Sequence, residues 1–158
     1  MDFTRNFMWD GIYISDSTAD FHTANGTVIQ DGFNGLTSLN KGYLELYSTT
    51  FRNNSVGIRI LGNGTPYSST LLDVLITSDP AAMLPPFSFN LGHTGILVDS
   101  VGYLQLGTPQ VTPTITFTGL GNGILARNSD VRVVNCDFSA IRYQADTSGY
   151  HQSSGRAI

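Results

Sequence analysis

Five times along this chain a glycine is followed by an apolar residue, a variable one, and then a small or apolar one. The phrases are Gly11-Ile12-Tyr13-Ile14, Gly35-Leu36-Thr37-Ser38, Gly57-Ile58-Arg59-Ile60, Gly95-Ile96-Leu97-Val98 and Gly123-Ile124-Leu125-Ala126; Gly155-Arg156-Ala157-Ile158 reads as a degenerate sixth. Intervals between these glycines are 24, 22, 38, 28 and 32 residues. Six residues before four of them stands a residue of buried type: Ile29, Phe51, Phe89 and Phe117. Arg5 departs from this pattern ahead of Gly11, and Phe138 lies seventeen residues ahead of Gly155. A unit of this length cannot bury its own apolar face, so it must stack on copies of itself.

Between the glycine phrases lie stretches that alternate with a period of two. They include Tyr43-Leu44-Glu45-Leu46-Tyr47, Leu71-Leu72-Asp73-Val74-Leu75-Ile76, Tyr103-Leu104-Gln105-Leu106 and Val131-Arg132-Val133-Val134. Such alternation marks half-buried strands. Short strands in each repeat, separated by Gly and Asn turns, describe one coil of a right-handed parallel β-helix. About six coils are expected in a single domain spanning 1–158. Ile12, Leu36, Ile58, Ile96 and Ile124 form one inward column, and Ile14, Ile60 and Val98 a second. The repeated glycines are expected to supply the positive φ of coil corners. Segments 62–68, 78–86, 107–113 and 142–154 carry Pro, Gly and Ser and read as loop insertions expelled from the stack. The rival fold is an antiparallel β-sandwich, with the Asn-Gly pairs at 25–26, 34–35, 63–64 and 122–123 as hairpin turns. Hairpins do not require an aromatic and a glycine to keep one spacing; stacked corners do.

Composition agrees with stacking. Charged residues make up 13% of the 158, and Glu45 and Lys41 are the sole Glu and Lys. Like charges stacked coil upon coil repel, whereas Asn, Ser, Thr and Gly stack and turn without that cost. With a net charge of −4 and no basic stripe, nucleic acid is not an expected partner. Cys136 is alone, which excludes an intrachain disulfide and a cysteine-based zinc cage. The longest apolar runs, such as Ser69 to Thr77, are too short to span a bilayer. No signal-peptide pattern opens the chain.

Phe7-Met8-Trp9-Asp10-Gly11-Ile12, Thr50-Phe51-Arg52-Asn53-Asn54-Ser55-Val56-Gly57-Ile58 and Val133-Val134-Asn135-Cys136-Asp137-Phe138 together resemble the coil phrases of right-handed parallel β-helix repeat proteins. They are most similar to those of large secreted surface proteins of Bacteroidota, carried as cargo of the type IX secretion route. The resemblance implies a bacterial, secreted or cell-surface location and a chain that is one segment of a longer solenoid. Its partners would then be a surface glycan, another protein, or neighbouring coils. Asp16-Ser17-Thr18 and Asp99-Ser100-Val101 resemble the short O-glycosylation signal of these bacteria, which would make Ser17 and Ser100 acceptors.

Many β-helices act on polysaccharides, which makes the carboxylates the first candidates for catalysis. Asp10, Asp31, Glu45, Asp73, Asp99, Asp130 and Asp137 fall at different offsets from their glycines, and no acidic column results. His22, His93 and His151 are isolated from one another and form no zinc pattern. Asp16, Asp20 and Asn25 lack the ligand density of a calcium loop. No cofactor, metal or catalytic residue is therefore expected. The outward residues of the glycine strand, including Tyr13 and Arg59, together with Tyr43, Tyr47 and Tyr103, are the candidate binding set. Tyrosines on a rigid, weakly charged sheet suit sugar-ring stacking or a protein interface. The expected role is a non-catalytic structural or adhesive segment. Scaffolding a polysaccharide lyase or glycoside hydrolase is the alternative, and a phage tail-fibre or spike segment the third.

Overall fold

The computed structural model describes residues 7–40, 42–87, 92–109, 112 and 114–142. The chain winds as a parallel β-solenoid of about five turns, and every strand pairing is parallel. That excludes the antiparallel sandwich. The first coil holds β1 (Ile12–Ile14), β2 (Asp20–His22) and β3 (Val28–Gln30); the second, β4 (Asn34–Leu39) and β5 (Tyr43–Arg52). The third holds β6 (Val56–Leu61) and β7 (Ser69–Thr77), and the fourth β8 (Gly92–Asp99), β9 (Leu104–Leu106) and β10 (Ile115–Thr118). The fifth holds β11 (Leu120–Arg127), β12 (Val131–Val133) and β13 (Cys136–Ser139). The degenerate phrase from Gly155, the aromatic at 89, Arg5, His151 and most of the 142–154 insertion lie outside the described residues.

One sheet runs β1-β4-β6-β8-β11. Its register stacks Ile12, Leu36, Ile58, Ile96 and Ile124 in a single column. Ile14, Ser38, Ile60, Val98 and Ala126 form the next. Leu36, Ile58 and Ile96 are wholly buried, each contributing about 2 kcal/mol of apolar burial. The second sheet runs β13-β10-β7-β5-β2, with β3 also on β5. Its main core column is Ile29, Phe51, Ile76, Phe117 and Phe138. Phe117 and Phe138 stack with centroids 4.7 Å apart and rings 4° from parallel, the spacing of adjacent coils.

Two expectations are corrected here. Ile76 holds the place in the aromatic column that the count back from Gly95 gives to position 89, because the segment after Thr77 leaves the stack before β8 and breaks that count. The repeated glycines, Gly11 excepted, do not sit at positive φ. They lie inside strands, where space is lacking: a Cβ on Gly95 would stand 2.6 Å from both the Gly123 carbonyl oxygen and the Phe117 ring. On Gly35 it would stand 2.7 Å from the Gly57 oxygen and 2.9 Å from Phe51. The aromatic and the glycine keep a common spacing because one packs over the place the other leaves vacant.

Positive φ falls instead on short polar residues at the corners. One residue beyond the β3–β5–β7–β10–β13 registers, Asp31, Asn53, Gly119 and Ala140 are left-handed. Asn40, Ser100 and Asn128 are left-handed beyond β4, β8 and β11, and Ser48, Asp73 and Asn135 at the bend between the halves of the second sheet. Asn and Asp tolerate this region because their side chains hydrogen-bond locally.

The segment after Thr77 folds back over the earlier coils as a strap. The Asp79 amide donates to Asn53 Oδ1 at 2.9 Å, and the Met8 amide donates to the Pro85 carbonyl at 3.2 Å. Phe87 meets Phe33 edge-on at 5.8 Å and His93 at 5.3 Å. Met83 is buried. Segment 62–68, by contrast, runs with the coil: Pro66 bridges Tyr103, and Tyr67 is buried.

Candidate functional site

The third side of the coil gathers tyrosines from three turns. On β5, Leu44 and Leu46 point into the core while Tyr43, Glu45 and Tyr47 face outward. The Pro66–Tyr103 bridge lays the following turn beside this face. Tyr43, Tyr67 and Tyr103 thereby line a groove of about 430 Å3 with Pro66, Ser68, Ser69, Thr70 and Gln105. Tyr103 is 38% exposed and presents a ring to solvent. The hydroxyls of Tyr43 and Thr70 lie 3.0 Å apart, and Gln105 Nε2 donates to the Gly107 carbonyl at 3.2 Å.

Tyr67 is structural within this wall. Its hydroxyl donates to the Gly42 carbonyl and lies 2.6 Å from Ser38 Oγ. Burial pushes its phenol up to about 12, against a smaller lowering by the Ser38 hydrogen bond. Ser69 differs: its Oγ is buried and has no hydrogen-bond partner. An unsatisfied buried hydroxyl costs roughly 1–3 kcal/mol; Ser69 Oγ lies beneath the accessible surface and is not one of the hydroxyls the groove presents.

Along the same face, Glu45 holds two neighbours. His22 Nδ1 lies 2.5 Å from Glu45 Oε2, and the Tyr47 hydroxyl donates to Oε1 at 2.7 Å. That hydrogen bond, with burial as a smaller cause, raises the Tyr47 phenol above its ordinary value. His22 also meets the Tyr43 ring edge-on at 6.3 Å.

The candidate set is thus divided. Tyr43 and Tyr103 share a groove, Tyr47 stands on the same strand as Tyr43 and is tied to Glu45, and Tyr13 and Arg59 lie on the other sheet. There Tyr13, Thr37, Arg59, Leu97 and Leu125 are in register. Tyr13 is 54% exposed, but Thr37 is buried, and Thr37 Oγ1 and Arg59 Nε have no partner. Ser69 and Gln105 were not foreseen. Only the ladder register, which places 66 against 103, could have identified them.

Ser17 is exposed beside Asp16, whose carboxylate accepts from the Thr18 amide at 2.8 Å and its hydroxyl at 2.9 Å. Those bonds hold the Asp16 carboxyl below its usual range. Ser100 occupies a left-handed corner and donates to Asp99 Oδ1 at 2.9 Å. Cys136 is half-buried on β13, and burial pushes its thiol up to about 11. Among the described residues no group of His, Cys, Asp and Glu is arranged to hold a metal ion, and no helix is long and apolar enough to cross a membrane.

The fold and the groove define a parallel β-solenoid with a tyrosine-lined face. No family model, curated protein or solved structure matches the chain.

Proposed function

We propose that this protein is a non-catalytic, adhesive segment of an exported surface solenoid, and that it binds glycan in the Tyr43–Tyr103 groove. The observation that carries the reading is the groove itself: two tyrosine rings from different coils line it together with the hydroxyl residues Ser68 and Thr70 and with Gln105. Sugar rings offer an apolar face for a tyrosine and hydroxyls for Ser68, Thr70 and Gln105. Weak charge suits a neutral ligand. The bacterial, type IX cargo-like origin rests on the coil phrases quoted above; on that reading, exposed Ser17 is the better glycan acceptor, since the Ser100 hydroxyl is engaged by Asp99.

Titration of the full chain with a panel of neutral oligosaccharides (malto-, cello-, xylo- and manno-series) tests this. Tyr103→Ala should weaken the best ligand about tenfold, the worth of one aromatic contact, with thermal stability unchanged. Undiminished binding by the variant, or binding by no member of the panel, would overturn the assignment.

A further inference from the structure

A second groove lies far along β5, where the strap crosses the corner column. Its floor and one wall are Gln30, Asp31, Arg52 and Asn53, from the ends of β3 and β5; Asp79, Ala82 and Leu84 of the strap form the other wall. Its volume is about 360 Å3, within the roughly 300–1,000 Å3 of small-ligand clefts. It shares no residue with the tyrosine groove.

The polar groups in this groove are fixed. Arg52 donates through Nε to Gln30 Oε1 at 3.1 Å and through Nη2 to the same oxygen. Gln30 Nε2 in turn donates to Asp31 Oδ2 at 3.0 Å. One carboxamide therefore positions a guanidinium and a carboxylate together, and it leaves the Arg52 charge facing a neutral partner. Across the groove, Asp79 Oδ1 caps the 3-10 turn Pro80–Ala82 by accepting from the Ala81 amide at 3.0 Å, while the Asp79 amide is held by Asn53 Oδ1. The strap is thereby pinned opposite Arg52.

Charge decides what class of ligand fits. The Asp79 carboxylate disfavours an anion, and the Arg52 guanidinium disfavours a cation. A neutral ligand dense in hydroxyl groups satisfies both, donating to carboxylate oxygens and accepting from the guanidinium. With no aromatic ring among its described lining residues, such a ligand is gripped by its edge rather than its face. We propose that the strap groove is a second glycan site, taking a neutral sugar edge-on through Arg52 and Asp79. The inference stands on this geometry alone and does not depend on the tyrosine groove.

The test is heteronuclear NMR of the full chain, with the same neutral oligosaccharides, polygalacturonate and a lysine-rich peptide as probes. A neutral oligosaccharide should shift the Arg52 Nε–H and the Asn53 and Asp79 amides, with an affinity little changed by added salt. Arg52→Ala and Asp79→Asn should each weaken that response roughly tenfold, while shifts at Tyr103 and Gln105 persist; Asn at position 79 still caps the 3-10 turn, so the strap stays in place. Shifts at the strap groove caused only by the polyanion or only by the peptide would overturn the assignment, as would none with any probe. Release of reducing ends from a bound neutral oligosaccharide would overturn the binding-only role. Loss of shifts at Tyr103 with those at Arg52 retained would count against the tyrosine groove alone.

Discussion

Asn54 shows how a single buried polar side chain fastens one coil to the next. It is 3% exposed. Its Oδ1 accepts from the Gly32 amide at 2.8 Å, and its Nδ2 donates to the Ile29 carbonyl at 2.9 Å. Both partners belong to the preceding turn, Ile29 within β3 and Gly32 just beyond its end. Replacing the carboxamide by an isosteric apolar group would strand a buried N–H and a buried C=O. Asn54→Leu is expected to lower stability by about 2–4 kcal/mol in urea denaturation, whereas Asn54→Asp, which keeps the acceptor for Gly32, should lose less at low pH, where its carboxyl is protonated and can also donate. Equal stability of Asn54→Leu and the parent would refute this role. The sequence shows Asn53-Asn54 as a phrase, but nothing in it separates the two duties: Asn53 makes the left-handed corner and Asn54 the inter-coil clamp.

At the scale of the element, the glycine strands explain themselves by what lies over them. Gly95 has no left-handed backbone to excuse it; it is small because Phe117 and the Gly123 carbonyl occupy the space. Gly95→Ala therefore has to displace backbone, and a cost of about 1–3 kcal/mol is expected from overpacking. Gly26 is the contrast, at φ +79 with open space around it. Gly26→Ala should cost about 1 kcal/mol, from conformation alone. Chemical denaturation of the two variants checks the order, and a reversal would mean that packing over the glycine column is loose. The inward columns were legible in the sequence because each strand carries its own glycine as a phase marker, so Ile58 and Ile96 align by inspection. The aromatic column was legible only where coil length is undisturbed. Between Ile76 and Gly95 the strap intervenes, and a fixed offset then picks out Phe89 instead. The tyrosine groove was half legible: exposure on an alternating strand singled out Tyr43 and Tyr103, but their meeting depends on two successive registers, β5 on β7 and Pro66 on Tyr103.

For the whole molecule, the strap alters how stability is shared. In a simple solenoid each coil touches only its neighbours, and an end coil frays independently of the middle. Here the segment that leaves the third coil is hydrogen-bonded to Met8 ahead of β1 and to Asn53 in the second coil. Met83→Ala, which opens a cavity under the strap, should cost about 2–4 kcal/mol. In hydrogen exchange it should release the Met8 and Trp9 amides before those of β6 and β8. Uniform loss of protection over all coils would show that the strap does not couple them. The return of the strap was not legible in the sequence: its Pro-rich composition marks a departure from the coil, and says nothing of where the segment comes to rest.

That strap also has a mechanical meaning. Ladder hydrogen bonds run along the solenoid axis, so tension applied between the two ends loads successive coils in series and opens the weakest rung first. A brace from the third coil to the residues ahead of β1 carries load in parallel with the rungs between them. Under pull, the first coils would yield as a block and not one by one.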